Sequence, residues 1–292
     1  MKLAQAIVQG LEVGGFYAVL ASGLTLIFGI MNVVNVAHGA LLVLAGLITF
    51  ELWRRTGIDP LLTIPLTTPL LFAAGWVLYR TLVRRVRGAP ASMSVLLTFA
   101  LAIAIEGAMG MIWKNVFRSV TPSYLTQAFH LGRLTFGKVD LYGFVVAVAV
   151  LAALYLLLTR TWMGRAIRST MENPQGAQLV GIRVGDVSAF AFALGVATAA
   201  AAGAILALRQ PIFPASHYVW ISRGLGIIVL GGMGSLPGAL VGSLILGVAE
   251  TVTSTYLSER WAPVMFYLVI MVVLLVRPQG LLGERLREDV AQ

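Results

Sequence analysis

The chain contains no cysteine and very little charge. Without cysteine there can be no disulfides and no thiolate metal sites. Its three histidines, His38, His130 and His217, are scattered and lack metal-ligand spacing, so no metal site is expected. Charged residues make up 11% of the 292 positions, against about 25% in soluble domains. Acidic residues are the scarcer sign, 12 against 21 basic, for a net charge of +9. What fills the chain is apolar: 59% hydrophobic residues and a mean hydropathy of +0.89. A soluble fold of this length could not hide so much oil. The apolar runs do not alternate as barrel strands do, so the spans are helices.

Candidate spans lie at about 6–29, 34–53, 61–80, 94–113, 141–159, 187–208, 222–235, 237–255 and 261–277, each near the roughly 20 residues a crossing needs. The pair 222–255 is interrupted by Gly231, Gly232, Gly234, Pro237 and Gly238, and its first half is short. The expectation is an all-α polytopic integral membrane protein, residues 1–292 forming one transmembrane domain. It has eight or nine helices with broken or re-entrant segments. The first apolar stretch is too long, and lacks the small-residue cleavage site, to be a cleaved signal peptide.

All but Lys2, Lys114 and Lys138 of the basic residues are arginine. In a soluble protein such a balance would hint at nucleic acid. Here the arginines cluster in loops, as the positive-inside bias requires, and no nucleic-acid partner is expected. Three groups belong in the cytoplasm: Arg80, Arg84, Arg85 and Arg87; Arg160, Arg165, Arg168 and Arg183; Arg277, Arg285 and Arg287. If 222–255 crosses twice, the N-terminus then lies outside. Lys114, Arg118, Arg133 and Lys138 fall in an outer loop, 114–140, against that trend.

The polar stretch 159–186, TRTWMGRAIRSTMENPQGAQLVGIRVGD, stands alone between long apolar runs. Asn173-Pro174 reads as a helix start, an Asn cap followed by Pro in the first turn. Gly181 reads as the left-handed residue that ends it. A helix of about two turns, Pro174 to Val180, offers Gln175, Gln178 and Leu179 and is flanked by Arg165, Arg168 and Arg183. It is shaped to dock into a soluble partner; a solvated connector at the lipid headgroups is the plainer reading.

Gly176, Ala177 and Gly181 in G-A-x-x-x-G resemble the cytoplasmic E-A-A-x-x-x-G loop of bacterial ABC importer permeases, with Gln175 and Gly176 replacing the usual Glu and Ala. GLEVGGFYAVLASGLTLIFGIMNVVNVAHGALLVLAG (10–46) closely resembles the first segment of branched-chain amino acid permeases of the LivH type. GLGIIVLGGMGSLPGALVGSLILG (224–247) is similar to their late glycine block. Val36 stands where the family often has Phe. The resemblance implies an ABC importer permease fold in a bacterial inner membrane, with no cofactor and no enzyme activity of its own. It implies import of branched-chain amino acids or, in some relatives, other amino acids, amides or urea. The implied partners are a second, LivM-type permease, two cytoplasmic ATPase subunits and a periplasmic substrate-binding protein. It also implies that Arg165, Arg168, Asn173, Pro174, Gln175, Gly176, Ala177 and Gly181 form the ATPase-coupling element.

Polar groups at membrane depth are costly and should face protein or water. Glu12, Asn32, Asn35, His38, Glu106 and Glu250 are such groups. Asn32, Asn35 and His38 are spaced by three and share a face if that stretch is helical. Together with Gly39, Gly231, Gly232 and Gly234 they are expected to line the translocation path or to pin the broken segments. HGALLVLAG after the first break and PGALVGSLILG after the second hint at a faint repeat. A stand-alone ion-coupled transporter or channel is the alternative, but no Asp/Glu/His series recurs at helical spacing. GRLTFGK (132–138) fits a phosphate-loop pattern, yet Val139 replaces its Ser/Thr and no strand–helix unit is expected around it. Trp113 and Trp261 sit at span ends, where aromatic belts form.

Overall fold

In the computed structural model, residues 2–86, 90–132 and 134–283 are described. Arg87, Arg133, Arg285 and Arg287 lie outside them. Eleven α-helices follow one another among these residues: α1 Lys2–Met31, α2 Ala37–Thr56, α3 Ile64–Thr81, α4 Ala91–Trp113, α5 Lys138–Arg160, α6 Trp162–Glu172, α7 Pro174–Leu179, α8 Val184–Arg209, α9 His217–Gly231, α10 Leu236–Tyr256 and α11 Ala262–Val276. A hairpin of β1 Ala128–Leu131 and β2 Leu134–Gly137 interrupts the helices.

Among the described residues, eight helical segments are long and apolar enough to cross a membrane: α1, α2, α4, α5, α8, α10, and α3 and α11 each lengthened by the helical turns that flank them, to Pro60–Val86 and Glu259–Val276. The protein is a multi-pass membrane protein. The ninth expected span is α9, which begins at His217 rather than 222 and stops at Gly231. Its 15 residues reach only about 22 Å at 1.5 Å per residue, short of a hydrocarbon core of about 30 Å.

Two ends can be told apart. At the basic end, Arg80 at the foot of α3 meets Asp186 at the start of α8, 3.3 Å apart. The α6–α7 segment and residues 277–283 lie there too. At the opposite, hairpin end, the Gln5 amide donates to Thr135 O at 2.5 Å, and Arg118 and Ile212 exchange backbone hydrogen bonds at 2.8 and 2.9 Å. Arg209 closes α8 onto Asp140 of α5 at 2.7 Å. So the segment between α4 and α5 is a folded cover at this end. Burial, then the nearby Asp59 carboxylate, pushes the Tyr124 phenol above its usual range, which keeps it neutral beside Tyr142.

α1 and α8 are almost wholly buried and form the centre. α3, α4, α5 and α11 surround them with exposed apolar side chains such as Leu66, Leu96, Val148 and Leu275, a surface suited to lipid. Lipid tails are as apolar as leucine, so helices associate by close packing, and small residues make it possible. A methyl group built on Gly203 of α8 would lie 2.8 Å from Gly46 N and 2.7 Å from Ala45 Cβ of α2. One on Gly247 of α10 would lie 2.7 Å from Gly14 Cα of α1. The glycines of α10 serve two neighbours: Gly238 abuts Gly231 of α9, while Gly247 abuts α1. Trp113, expected in an interfacial belt, is instead part of the core, whereas Trp261 is exposed.

Gly203→Ala forces α2 and α8 apart and is expected to cost about 1–3 kcal/mol, the usual cost of overpacking. Gly107→Ala, whose added methyl meets nothing within 4 Å, is the control. Thermal unfolding of the two variants in detergent measures the difference.

Candidate functional site

At the basic end the sequence builds a small helix with both ends satisfied. Thr161 caps α6, accepting from Gly164 N at 3.0 Å. Asn173 caps α7, accepting from Gly176 N at 2.9 Å, and Pro174 occupies the first turn. Gly181, at φ +84°, ends it, and the Ile182 N–H returns to Ala177 O at 3.0 Å, the long bond of a Schellman turn. Thus α7 stands as the sequence predicted. Gln175, Gln178, Leu179 and Val180 are exposed, the last two at 89% and 76%, on a turn of otherwise polar surroundings. Arg165 and Arg168 are exposed beside it. Ala177, by contrast, is buried and faces its own chain.

The first break runs from Asn32 to Val36. It is not helical, so Asn32, Asn35 and His38 do not share a helix face as their spacing predicted. Asn32 is exposed at φ +50°, with its N–H bonded to Phe28 O at 2.8 Å. It ends α1 in the left-handed conformation that Asn tolerates better than most residues. Asn35 and His38 are sealed inside, and neither side chain has a hydrogen-bond partner among the described residues. Gly39 packs against the His217 backbone and Ile221 of α9. His38 lies in a crevice between α1 and α8, beside Gly23 and Thr198.

What holds this unwound stretch is a residue that span-level reading passed over. Thr98 of α4 accepts from Val36 N at 3.2 Å, and its hydroxyl lies 3.1 Å from Val34 O. It thereby serves the open Val36 N–H, while its single proton has both Val34 O and, at 3.0 Å, Ser94 O of its own helix within reach. A lone Thr in an apolar span carries no signal of its own; only the unpaired backbone two helices earlier gives it meaning.

The second break is Gly232–Ser235, with Gly232 at φ +101° and Gly234 at φ +87°. Gly231 and Gly238 touch backbone to backbone. The open carbonyls at the end of α9 are met by the returning tail: Leu281 N donates to Leu230 O at 2.8 Å and Leu282 N to Gly231 O at 3.0 Å. The two breaks are brought together at Gly29, which lies against both Gly234 and the Met171 side chain of α6.

Toward the hairpin end the acidic residues find partners. Arg223 Nη2 of α9 lies 2.8 Å from Glu250 Oε1 of α10, and the Tyr17 hydroxyl of α1 joins both residues. Glu106 accepts from the Tyr218 hydroxyl at 2.9 Å and lies 3.0 Å from His217 Nε2. Glu12 of α1 is the exception: it is buried, and its Oε1 has no hydrogen-bond partner among the described residues. The GRLTFGK stretch does hold a strand running into a helix, β2 into α5, contrary to expectation. Its lysine is nonetheless engaged elsewhere, Lys138 Nζ donating to Gln127 Oε1 at 2.6 Å. Among the described residues no group of three His, Asp or Glu is placed to hold a metal.

A glycine-rich, twice-broken helical core with one capped surface helix is the setting in which the relatives are read. The family described as "Branched-chain amino acid transport system / permease component" matches residues 6–276. The chain belongs to that family. The branched-chain amino acid permease BraD of Pseudomonas aeruginosa is 30% identical over 96% of this chain and 95% of its own length. LivH of Salmonella typhimurium is 30% identical over the same shares. A probable LivH of Methanocaldococcus jannaschii is 30% identical over 90% of this chain and 87% of its own. No solved structure matches. The chain is therefore a transport subunit of an ABC system, not an enzyme.

Thr98→Val keeps the shape of the side chain and removes the hydroxyl. Leaving the Val36 N–H unserved is expected to cost about 1–3 kcal/mol. Faster hydrogen exchange across residues 33–37 and a lower unfolding temperature are the expected results, with Thr98→Ser near the parent.

Proposed function

We propose that this chain is a permease subunit that forms the translocation path for branched-chain amino acids across the bacterial inner membrane. The work is done by ATP hydrolysis in two separate cytoplasmic subunits. A second permease of the LivM type and a periplasmic substrate-binding protein complete the system. The basic end is then cytoplasmic and the hairpin end periplasmic, in line with the arginines at the first and the folded cover at the second.

The observation that carries this reading is α7. A two-turn helix that ends in exposed Leu179 and Val180, capped at both ends, has apolar area to bury and nothing among the described residues to bury it against. Arg165 and Arg168 flank it and suit acidic groups on a partner. Asn173, Pro174, Gly176 and Gly181 shape the helix, Gln175 contributes to its exposed face, and buried Ala177 seats it on its own chain. On this reading Asn35, His38, Gly39, Gly231, Gly232 and Gly234 belong to the moving core rather than to the docking face. Asn35 and His38 are the polar groups that a path opened along the first break would expose, with Asn32 at its inner mouth. A ligand shifts such an equilibrium only by binding two states differently, so nucleotide must act through the docked subunits.

Leu179→Asp together with Val180→Asp removes the apolar tip without touching the fold. Loss of an interface anchor costs about 2 kcal/mol or more, so ATPase co-purification is expected to fall at least about tenfold. Leucine uptake should fall with it while membrane levels hold. Full assembly and uptake in this variant would refute the docking role. So would labelling of a Gln175→Cys variant by an impermeant thiol reagent from the outside.

A further inference from the structure

At the hairpin end a cavity of about 360 Å³ opens between α1, α8, α9, α10 and α11. Four charged residues line it: Arg209, Arg223, Glu250 and Glu259. We propose that this cavity is a binding site for a zwitterionic α-amino acid with an apolar side chain, the place where the solute first meets this chain. The inference rests on the transport reading above and adds the location and the chemistry of recognition.

The lining charges sum to zero and include both signs, which suits a ligand that is itself neutral and dipolar. A net anion or cation would find one pair of like charges against it. Each arginine has one carboxylate partner, Arg223 with Glu250 at 2.8 Å and Arg209 with Asp140 at 2.7 Å. A guanidinium carries five N–H donors, so both keep donors for a ligand carboxylate. The buried Trp220 indole N–H borders the same space and has no acceptor among the described residues. An unpaired buried donor costs about 1–3 kcal/mol, and a ligand carboxylate would relieve it. Glu250 and Glu259 are the groups for the ammonium. The rest of the wall, Phe16 among it, is apolar enough for a branched side chain. The volume falls within the roughly 300–1,000 Å³ of small-molecule sites.

Arg223 also pins α9 to α1 and α10, and stacks on Trp220 with its Cζ 5.3 Å from the ring centre. That pinning accounts for the ion pair. It accounts neither for the space beside it nor for the second arginine at its edge, nor for the idle indole.

The natural absence of cysteine makes the test clean, since one substituted thiol is the only thiol of this chain. Ser254→Cys, at the cavity wall, is made in the complete importer in membrane vesicles and treated with a small methanethiosulfonate reagent. Leucine is expected to slow labelling of this chain several-fold. Isoamylamine, which lacks the carboxylate, and isocaproic acid, which lacks the amine, are expected not to. Thr251→Cys, on the same wall, gives the same reading should Ser254→Cys fail to assemble. Adding Arg223→Gln should abolish the protection. Restoring the pair in reverse, Arg223→Glu with Glu250→Arg, should not bring protection back, although it would restore a purely structural pin. No protection by leucine while the unsubstituted complex takes leucine up would overturn the site and leave the transport reading standing. Equal protection by all three compounds would overturn the zwitterion assignment. Failure of the unsubstituted complex to transport any branched-chain amino acid would instead strike the transport reading itself.

Discussion

In hydrocarbon every backbone N–H and C=O must find a partner within the protein, and the two non-helical stretches of this chain are where that demand is hardest to meet. Thr98 meets it at the Val36 N–H, and the backbone of Leu281 and Leu282 meets it at Leu230 and Gly231. Neither solution is local. One comes from a helix some sixty residues away and the other from the far end of the chain. The breaks therefore exist only as part of the assembled bundle, and loosening either clasp exposes amide groups to lipid.

The bundle itself is built on close approach. The central helices α1 and α8 are apolar on all sides, so no polar face fixes their rotation. Glycine fixes it instead: Gly203 opposite Gly46, Gly75 opposite Ala193, Gly14 opposite Leu244 and Gly247. Each site admits a neighbouring backbone where any side chain would push it away. Dispersion between packed backbones falls steeply with distance, so these few contacts set the register of whole helices.

The sequence told most about features whose cause is local. Eight spans, the interruption after Gly231 and both caps of α7 follow from run length, glycine and an Asn-Pro pair. The helical face for Asn32, Asn35 and His38 did not survive, because spacing by three presumes a helix and Asn32 stops it. Nor was Arg223 legible, since one basic residue inside 222–235 looks like noise until Glu250 and Tyr17 are seen beside it. Trp113 went astray for a similar reason: its place at a span end predicts a lipid interface, but the folded outer cover buries it. Partners distant in sequence decide each of these cases, and one sequence holds no record of them.

The position of Met171 ties these threads together. It is the penultimate residue of α6, the helix that carries α7, and its side chain rests on Gly29 where Gly234 also approaches. A side chain at Gly29 would fill the notch that receives it. Packed interiors pass displacement on rather than absorb it, because they hold few voids. On the proposed reading, movement of the capped surface helix would be felt at the end of α1, beside both breaks. Met171 of α6, Gly29 of α1 and Gly234 of the second break meet at one place. That contact lies at the basic end, on the opposite side of the bundle from the arginine-lined cavity.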